Sequence, residues 1–346
     1  MSIFRFGIAG AGAIARRFAD GLSQRSDITL GAVASQTKGS AGAFVKEFSD
    51  RFPRARAYDS YAQMAEDPEI DAVYVANLNT QHADTVKLFL TAHKPVICEK
   101  PFALNAVQAE EMVFCAKENN VFLMEAMWTR FLPVTHKAME WIREGKIGEP
   151  TRIYSDFGMC LMTEESRRTV SLEKGGGALL DLGVYPISFF GMIFGYEPDQ
   201  VTSNVTKADT GVDSSFEVIF RYPERERAFG NDAPTACALV SIDNLLPNTM
   251  RIVGDEGFIE IRDFWMGRST AFYSKDAEGF FQTVPSEVFE ADPLVNGYQY
   301  EAVEVASCVR AGKKESSVMT HSDTIAVMKI MDHLRAQWGI RFPQES

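Results

Sequence analysis

The chain has 346 residues, 46% apolar and 24% charged, with a formal net charge of −12. That length exceeds one ordinary core and suits two domains, and the composition is that of a soluble globular protein able to bury a large core. The acidic balance, with no basic stripe in view, argues against nucleic acid as a partner, because a phosphate backbone needs a basic face.

From residue 4 to about 124, short apolar runs alternate with helical patterns: FRFGIAG then AIARRFADGLSQ, and ITLGAVAS then KGSAGAFVKEFSDRF. DAVYVAN with TQHADTVKLFLTAHK, KPVICEK with NAVQAEEMVFCAKEN, and VFLME complete the series. This βαβα order predicts a parallel sheet with helices on both faces, a Rossmann domain over residues 1–125. Directly after the first strand, Gly10, Gly12 and Ala15 form G-x-G-x-x-A at a helix start. The first glycine makes the tight turn, the second lets backbone approach a pyrophosphate, and the small third residue lets helix and strand pack. Amides at that helix start, with Ala13 and Ile14, then hold phosphate, so a dinucleotide is the expected cofactor.

The second strand bears on which dinucleotide. NAD enzymes usually end it in an acidic residue that binds the ribose diol, and here it runs Ala34-Ser35-Gln36-Thr37-Lys38 with no carboxylate. Ser35, Gln36 and Thr37 can bond phosphate oxygens and Lys38 adds a charge, which favours NADP, with NAD still possible. The plain alternative for Lys38 is a solvent-facing lysine at a helix start.

After Pro150 the rhythm changes. TRIYSDFGM, DQVTSNVTKA, SSFEVIFRY, TACALVSID, NTMRIVG and GFIEIRD are strand-like and many alternate apolar with polar, which predicts a large, mainly antiparallel sheet covered on one face. The second domain, residues 126–346, is therefore α+β. PERERAFGNDAP, residues 223–234, reads as a solvated hairpin loop, and two helices near 298–311 and 322–338 close the chain, the last expected to pack back on the first domain. Alternating strands such as Ser214 to Tyr222 leave the uncovered face partly apolar, so a homodimer through that face is expected.

Within this half, KGGGALLDLGVYPISFF is oily almost throughout yet carries Asp181 and Tyr185. If it is helical from Ala178, Asp181, Tyr185 and Ser188 form one polar stripe on a buried helix. A buried carboxylate without partners costs several kcal/mol or more, so the stripe must face something polar. One reading is structural, with Asp181 accepting amides near the helix start and Tyr185 a core ring; the other makes the stripe part of a site.

Five cysteines (Cys98, Cys115, Cys160, Cys237, Cys308) are widely spaced with no C-x-x-C, which fits reduced thiols and a cytoplasmic location. The N-terminus lacks a cationic, cleavable apolar leader, and no run of about 18 apolar residues stands out, so no membrane partner is expected. The histidines at 82, 93, 136, 321 and 333 have no metal spacing, and no metal is expected.

The fifth strand ends Glu99-Lys100-Pro101, at the sheet edge where doubly wound folds bind ligands. With the glycine loop, VANLNTQHAD, GGGALLDLGVY, the run Glu125 to Phe131 and the ending Gln337 to Arg341, the chain resembles the Gfo/Idh/MocA oxidoreductase family over essentially its whole length. It is most like the dihydrodiol dehydrogenase and D-xylose dehydrogenase branch. The resemblance implies that Lys100 is the lysine of the family's E-K-P motif, beside Glu99, near the nicotinamide and the reacting oxygen. Asp181 and Tyr185 match D-x-G-x-H/Y, where this branch carries tyrosine. Asn77, Asn79 and His82 would pass the nicotinamide ribose, although Asn77-Leu78 departs from the family's more usual Thr-Pro. Trp128 and Arg130 would border the same pocket. Phe157 is a candidate lining residue or plain core, and Arg168 a candidate substrate anchor or a surface arginine.

The activity so implied is hydride transfer between NADP and a hydroxyl carbon of a cyclic polyol: a sugar, an inositol or a trans-dihydrodiol. Tyr185 would move the hydroxyl proton, and Asp181 would orient the hydroxyl. A free tyrosine, with a pKa of about 10, is a poor base near neutrality. A lysine ammonium about 5 Å away, at an effective dielectric of about 20, favours phenolate by roughly 3 kcal/mol, or about two pKa units. Two rival expectations remain: a glycosidase of the same family that retains NAD, and a non-catalytic dinucleotide-binding regulator.

Overall fold

The computed structural model describes residues 2–163, 167–227, 230–292 and 296–345. Two compact units emerge, residues 1–128 with 295–328 and residues 129–294 with 329–346.

In the first unit the short apolar runs become β1 (Phe4–Ala9), β2 (Ile28–Ala34), β3 (Arg56–Tyr58), β4 (Ala72–Val75), β5 (Val96–Glu99) and β6 (Leu123–Ala126). They pair in parallel in the order β3-β2-β1-β4-β5-β6. Every residue of β4, β5 and β6 is buried, as expected for strands covered on both faces. The connections hold α1 (Ala13–Leu22), α2 (Ser40–Glu47), α3 (Tyr61–Ala65), α4 (His82–Thr91) and α5 (Ala106–Glu118). The sheet reverses direction of growth between β1 and β4, and the carboxyl ends of these strands form the crevice such folds use for ligands.

The second unit holds α6 (Pro133–Arg143), β7 (Pro150–Gly158), a π-helical turn (Leu179–Gly183) running into α7 (Val184–Phe194), then β8 (Gln200–Lys207) and β9 (Asp213–Arg221). β10 (Arg225–Arg227) and β11 (Gly230–Asp232) follow, then β12 (Thr235–Ser241), β13 (Thr249–Gly254), β14 (Gly257–Arg262), β15 (Ser269–Ser274) and β16 (Glu287–Glu290). Eight strands form one sheet in the order β16-β15-β14-β13-β7-β12-β9-β8. All neighbours are antiparallel except β7 and β12, whose parallel pairing is possible because a long connection with its own helix separates them. The charged segment 223–234, expected as a solvated hairpin loop, contains the antiparallel β10–β11 pair.

α8 (Tyr298–Arg310) and α9 (His321–Trp338) close the chain. Residues 295–328, which hold α8 and the start of α9, group with the first unit, and residues 329–346 with the second. The cause for α8 is apolar packing: Tyr298, Ala302, Val305 and Ala306 are buried, the Phe18 ring of α1 meets Tyr298 edge-on, and a side chain at Gly21 would strike the chain at 296–299.

The sheet of the second unit is sided. Along β9, Phe216, Val218 and Phe220 are buried beneath the helical segment, where Phe190 meets Phe220 at 5.7 Å and Gly183 leaves room for the Phe216 ring. On the other face Tyr154, Ile219 and Leu239 are exposed and line a shallow groove with Cys237 and Arg251. The stretch Leu172–Phe194, which contains the oily run KGGGALLDLGVYPISFF, has mean hydropathy 1.6 and is by length and composition apolar enough to cross a membrane. Its most apolar window is 78% buried inside the fold, as a core helix is.

Candidate active site

The phosphate loop is built by two glycines with different reasons. Gly10 has φ +113°, and a Cβ there would lie 2.6 Å from the carbonyl oxygen of Ala76, so only glycine lets the ends of β1 and β4 approach. A Cβ on Gly12 would meet no atom within 4 Å, so no protein neighbour requires the missing side chain. Ala15 is fully buried where α1 packs on the sheet. No side chain caps α1 and its first turn holds no acid. Arg16 instead binds the loop from behind, donating to the carbonyls of Ala11 at 2.6 Å and Gly12 at 3.2 Å while pairing with Glu47. The amides of Ala13 and Ile14 therefore start a helix that offers an uncapped positive end, and the loop fits a dinucleotide pyrophosphate.

At the end of β2, Ser35 is buried and its Oγ accepts from the Thr37 amide at 3.2 Å, whereas Gln36, Thr37 and Lys38 are exposed. Further along the crevice, Asn77 donates to Thr85 Oγ1 at 2.8 Å, and Asn79 and His82 are buried. His82 Nδ1 lies 2.9 Å from the carbonyl oxygen of Pro101, tying the start of α4 to the chain just past β5. Glu99 accepts from the Tyr74 hydroxyl and, at 3.0 Å, from the Lys100 amide, which fixes the peptide on which half-buried Lys100 sits. Burial, and then the charge of Glu99, push the Tyr74 phenol well up. The same two causes push the carboxyl of fully buried Glu301 well up. The Trp128 indole stacks on Tyr298 at 4.6 Å and 17°.

The second unit carries Asp181 and Tyr185, and three consecutive glycines set up their helix. Gly175 is left-handed at φ 65°, a Cβ on Gly176 would lie 2.6 Å from the Thr169 carbonyl oxygen, and Gly177 has φ +117°. Amides of Gly176 and Gly177 bond back to the carbonyls of Ser171 at 2.9 Å and Thr169 at 2.8 Å, folding the turn at 167–171 against the glycines. Arg168 is thereby beside the helix and donates to Asp181 Oδ1 at 3.2 Å. The expected straight α-helix is interrupted: the Val184 amide bonds the Leu179 carbonyl, an i to i+5 step, so Asp181 lies in a π-turn and Tyr185 opens α7. Such turns recur at functional sites. The Tyr185 ring meets Phe157 edge-on at 5.5 Å, and Phe157 stacks near Trp265 at 5.8 Å. Ser188 Oγ accepts from Arg130 Nε at 2.9 Å, and the same buried guanidinium binds Tyr196.

Two groups of expected residues thus assemble within the units. Gly10, Gly12, Ala13, Ile14 and Ser35 to Lys38 gather with Asn77, Asn79, His82, Glu99, Lys100 and Trp128 at the carboxyl ends of the parallel strands. Asp181 and Tyr185 gather with Phe157, Arg168 and Arg130. Within the second unit, the stripe faces arginines: Arg168 at its start and Arg130 at its end. Sequence reasoning missed Trp265, Tyr196, Glu301 and Asp213. The first three sit in unremarkable patterns, and the signal that could have pointed to Asp213 is the triple glycine, whose last residue it presses. Among the described residues, no group of three or more His, Cys, Asp or Glu side chains could hold a metal ion.

Comparison with known proteins gives the lineage. Residues 4–127 match the family described as "Oxidoreductase family, NAD-binding Rossmann fold", and residues 135–260 match the GFO/IDH/MocA C-terminal domain. Trans-1,2-dihydrobenzene-1,2-diol dehydrogenase of Danio rerio is 36% identical over 348 residues, covering 99% of each chain. The protein of the same name from Mus musculus is 35% identical, covering 99% of this chain and 98% of its own. Among solved structures, a 3-ketoreductase of Actinomadura kijaniata in complex with NADP and TDP-benzene superposes with a TM-score of 0.80 at 23% identity, covering 97% of this chain and 98% of that one. An aldose-aldose oxidoreductase of Caulobacter crescentus gives 0.81 at 21% identity, covering 98% of both. The double match to the family's domains and the full-length relatives above 30% identity together make this chain a member of the Gfo/Idh/MocA oxidoreductase family.

Proposed function

We propose that this oxidoreductase is an NADP-dependent dehydrogenase of a cyclic polyol, a sugar, an inositol or a trans-dihydrodiol, with Tyr185 as general acid-base and Lys100 and Asp181 assisting. The observation that carries the reading is the polar pair of Asp181 in the π-turn and Tyr185 at the start of α7, in an otherwise apolar buried segment. Full-length relatives that are dehydrogenases of a cyclic diol support it. Oxidising a secondary alcohol removes a hydride from carbon and a proton from oxygen. When bound, the nicotinamide accepts the hydride, so the chain has only the proton to manage.

Tyr185 is the group for that proton: its phenolate takes it from the hydroxyl in oxidation and returns it to the carbonyl oxygen in reduction. Asp181, oriented by Arg168, accepts a hydrogen bond from a substrate hydroxyl and so selects a polyol over a simple alcohol. Lys100 supplies a cation to the reacting oxygen. Phe157, buried and edge-on to Tyr185, backs the tyrosine ring from its apolar side and fixes where it sits toward a substrate. Gly12, Ala13 and Ile14 receive the pyrophosphate, and Ser35, Gln36, Thr37 and Lys38, with no carboxylate among them, favour the 2′-phosphate of NADP. Asn77, Asn79 and His82 shape the nicotinamide-ribose side. Glu99 acts by fixing the Lys100 peptide, Trp128 by its stack on Tyr298, and Arg130 by holding Ser188.

The deciding experiment is Tyr185→Phe, assayed against sugars, inositols and vicinal diols with both cofactors. The rate with the best substrate should fall by roughly 10² to 10⁴, the usual worth of general acid-base catalysis, with NADP affinity retained. A loss below about tenfold would return Tyr185 to core packing. A homodimer belongs to the same proposal, since Tyr154, Ile219 and Leu239 leave the outer sheet face apolar. Sedimentation that finds only a 38.5 kDa species at micromolar concentration would remove it. The free cysteines on both units fit a reducing, cytoplasmic setting, which cell fractionation reads directly.

A further inference from the structure

We propose that Asp213 is a positioning residue for this reaction: its carboxylate holds the glycine turn 175–177 and the first turn of the helical segment in the geometry that sets Asp181 and Tyr185. The inference rests on the catalytic reading of those two residues. Asp213 opens β9 and is 2% exposed. Both of its oxygens face the turn: Oδ2 accepts from the Leu179 amide at 2.5 Å, and Oδ1 lies 2.2 Å from where a Cβ on Gly177 would stand. The contact propagates. The Asp181 amide bonds the Gly177 carbonyl at 3.2 Å, and the Leu179 carbonyl receives the Val184 amide, next to Tyr185. Moving the Asp213 carboxylate therefore moves the residues on which both site side chains hang.

The charges around it make the hold sensitive to pH. On α9, Arg335 favours the carboxylate but is itself paired with Asp332 at 2.7 Å and Glu345 at 2.8 Å. Lys207, opposite Asp213 in the strand pair, is exposed, and on the helical segment Asp181 is engaged with Arg168. Burial dominates and pushes the acid from 3.8 up to about 7, with the Leu179 amide, its own amide and Arg335 pulling it back. A protonated carboxyl is a weaker acceptor, so below that value the grip on Leu179 loosens. Because the folded-state pKa is raised, the folded chain binds the proton more tightly than the unfolded one. Stability from this group is full below the unfolded pKa and is lost as pH rises through about 7. The form that holds the turn is thus the form that destabilises the fold.

Hydrogen exchange of the peptide spanning 177–185, corrected for intrinsic rates, reads the hold without reference to catalysis. In the wild type, protection should fall as pH drops from 8 to 6, in roughly the window set by the raised pKa. In Asp213→Asn, which cannot titrate, protection should not change with pH, kcat should be lower by roughly five- to tenfold, about the worth of a lost capping bond, and its step near neutrality should vanish. KM for the cofactor should stay unchanged. Wild-type protection independent of pH would overturn the proposal, as would a variant with the kcat and pH profile of the parent. The wild-type arm stands even if the variant fails to fold. An active Tyr185→Phe would sink the catalytic reading while leaving the exchange result intact, so the two failures are distinguishable.

Discussion

Two glycine turns in this chain feed helices, one in each unit, and they treat the positive end of the helix in opposite ways. At Gly10–Gly12 the helix start has no acid, no side-chain cap and an unfilled space where a Cβ on Gly12 would go. At Gly175–Gly177 the corresponding space is filled by Asp213, whose carboxylate takes the Leu179 amide. A helix start wants negative charge. A fold that supplies it from its own side chain has built a support, whereas one that leaves it wanting leaves room for an anion. Glycine in the sequence looks the same in both; the neighbour distinguishes them.

The sharpest attempt to break this comparison is Gly177→Ala. A residue at φ +117° is strained, and the new methyl would collide with a buried carboxylate, so stability should drop by about 3 kcal/mol or more, read as a shift in denaturant midpoint. A neutral result would mean the turn is not sealed. Next comes Gly12→Ala, where no protein atom objects. Stability should change by no more than about 1 kcal/mol, while NADP affinity by fluorescence titration falls tenfold or more because the methyl stands where the pyrophosphate approaches. Retained affinity would show that the space in front of Gly12 is not the ligand's. Lys38→Ala should have the smallest effect. Its charge is exposed, so the preference for NADP over NAD should narrow only severalfold, an effect of about 1 kcal/mol or less that shrinks further with salt. No change in preference would leave Lys38 a solvated lysine.

The first unit was largely legible from sequence, because buried parallel strands write themselves as short apolar runs and the phosphate loop lies within six consecutive residues. The candidate residues were legible one by one, yet their supports were not. Arg130 and Ser188 are 58 positions apart, and Asp213 lies 34 from the amide it holds. Such contacts leave no periodicity to read. The π-turn was invisible for a different reason: Leu179 to Gly183 fits an ordinary helix, and its neighbours, Asp213 on the Leu179 amide and Phe216 against Gly183, are distant in sequence. The same limit applies to α8, whose amphipathic pattern shows a buried face without saying which unit buries it.

The apolar segment Leu172–Phe194 has a consequence for how the chain is made. Much of its cover comes later in the sequence: Phe216 and Phe220 follow about 25 residues behind it, and Phe264 about 70. At a synthesis rate of about 5–20 residues per second, the wait for β9 lasts about one to five seconds and for β14 and the turn after it longer still. During that interval a stretch as greasy as a membrane span emerges before its lid exists, and Asp213, which completes the glycine turn, arrives with the same strand that brings the lid. Birth of the second unit is therefore a race between translation and stickiness, decided when β9 arrives.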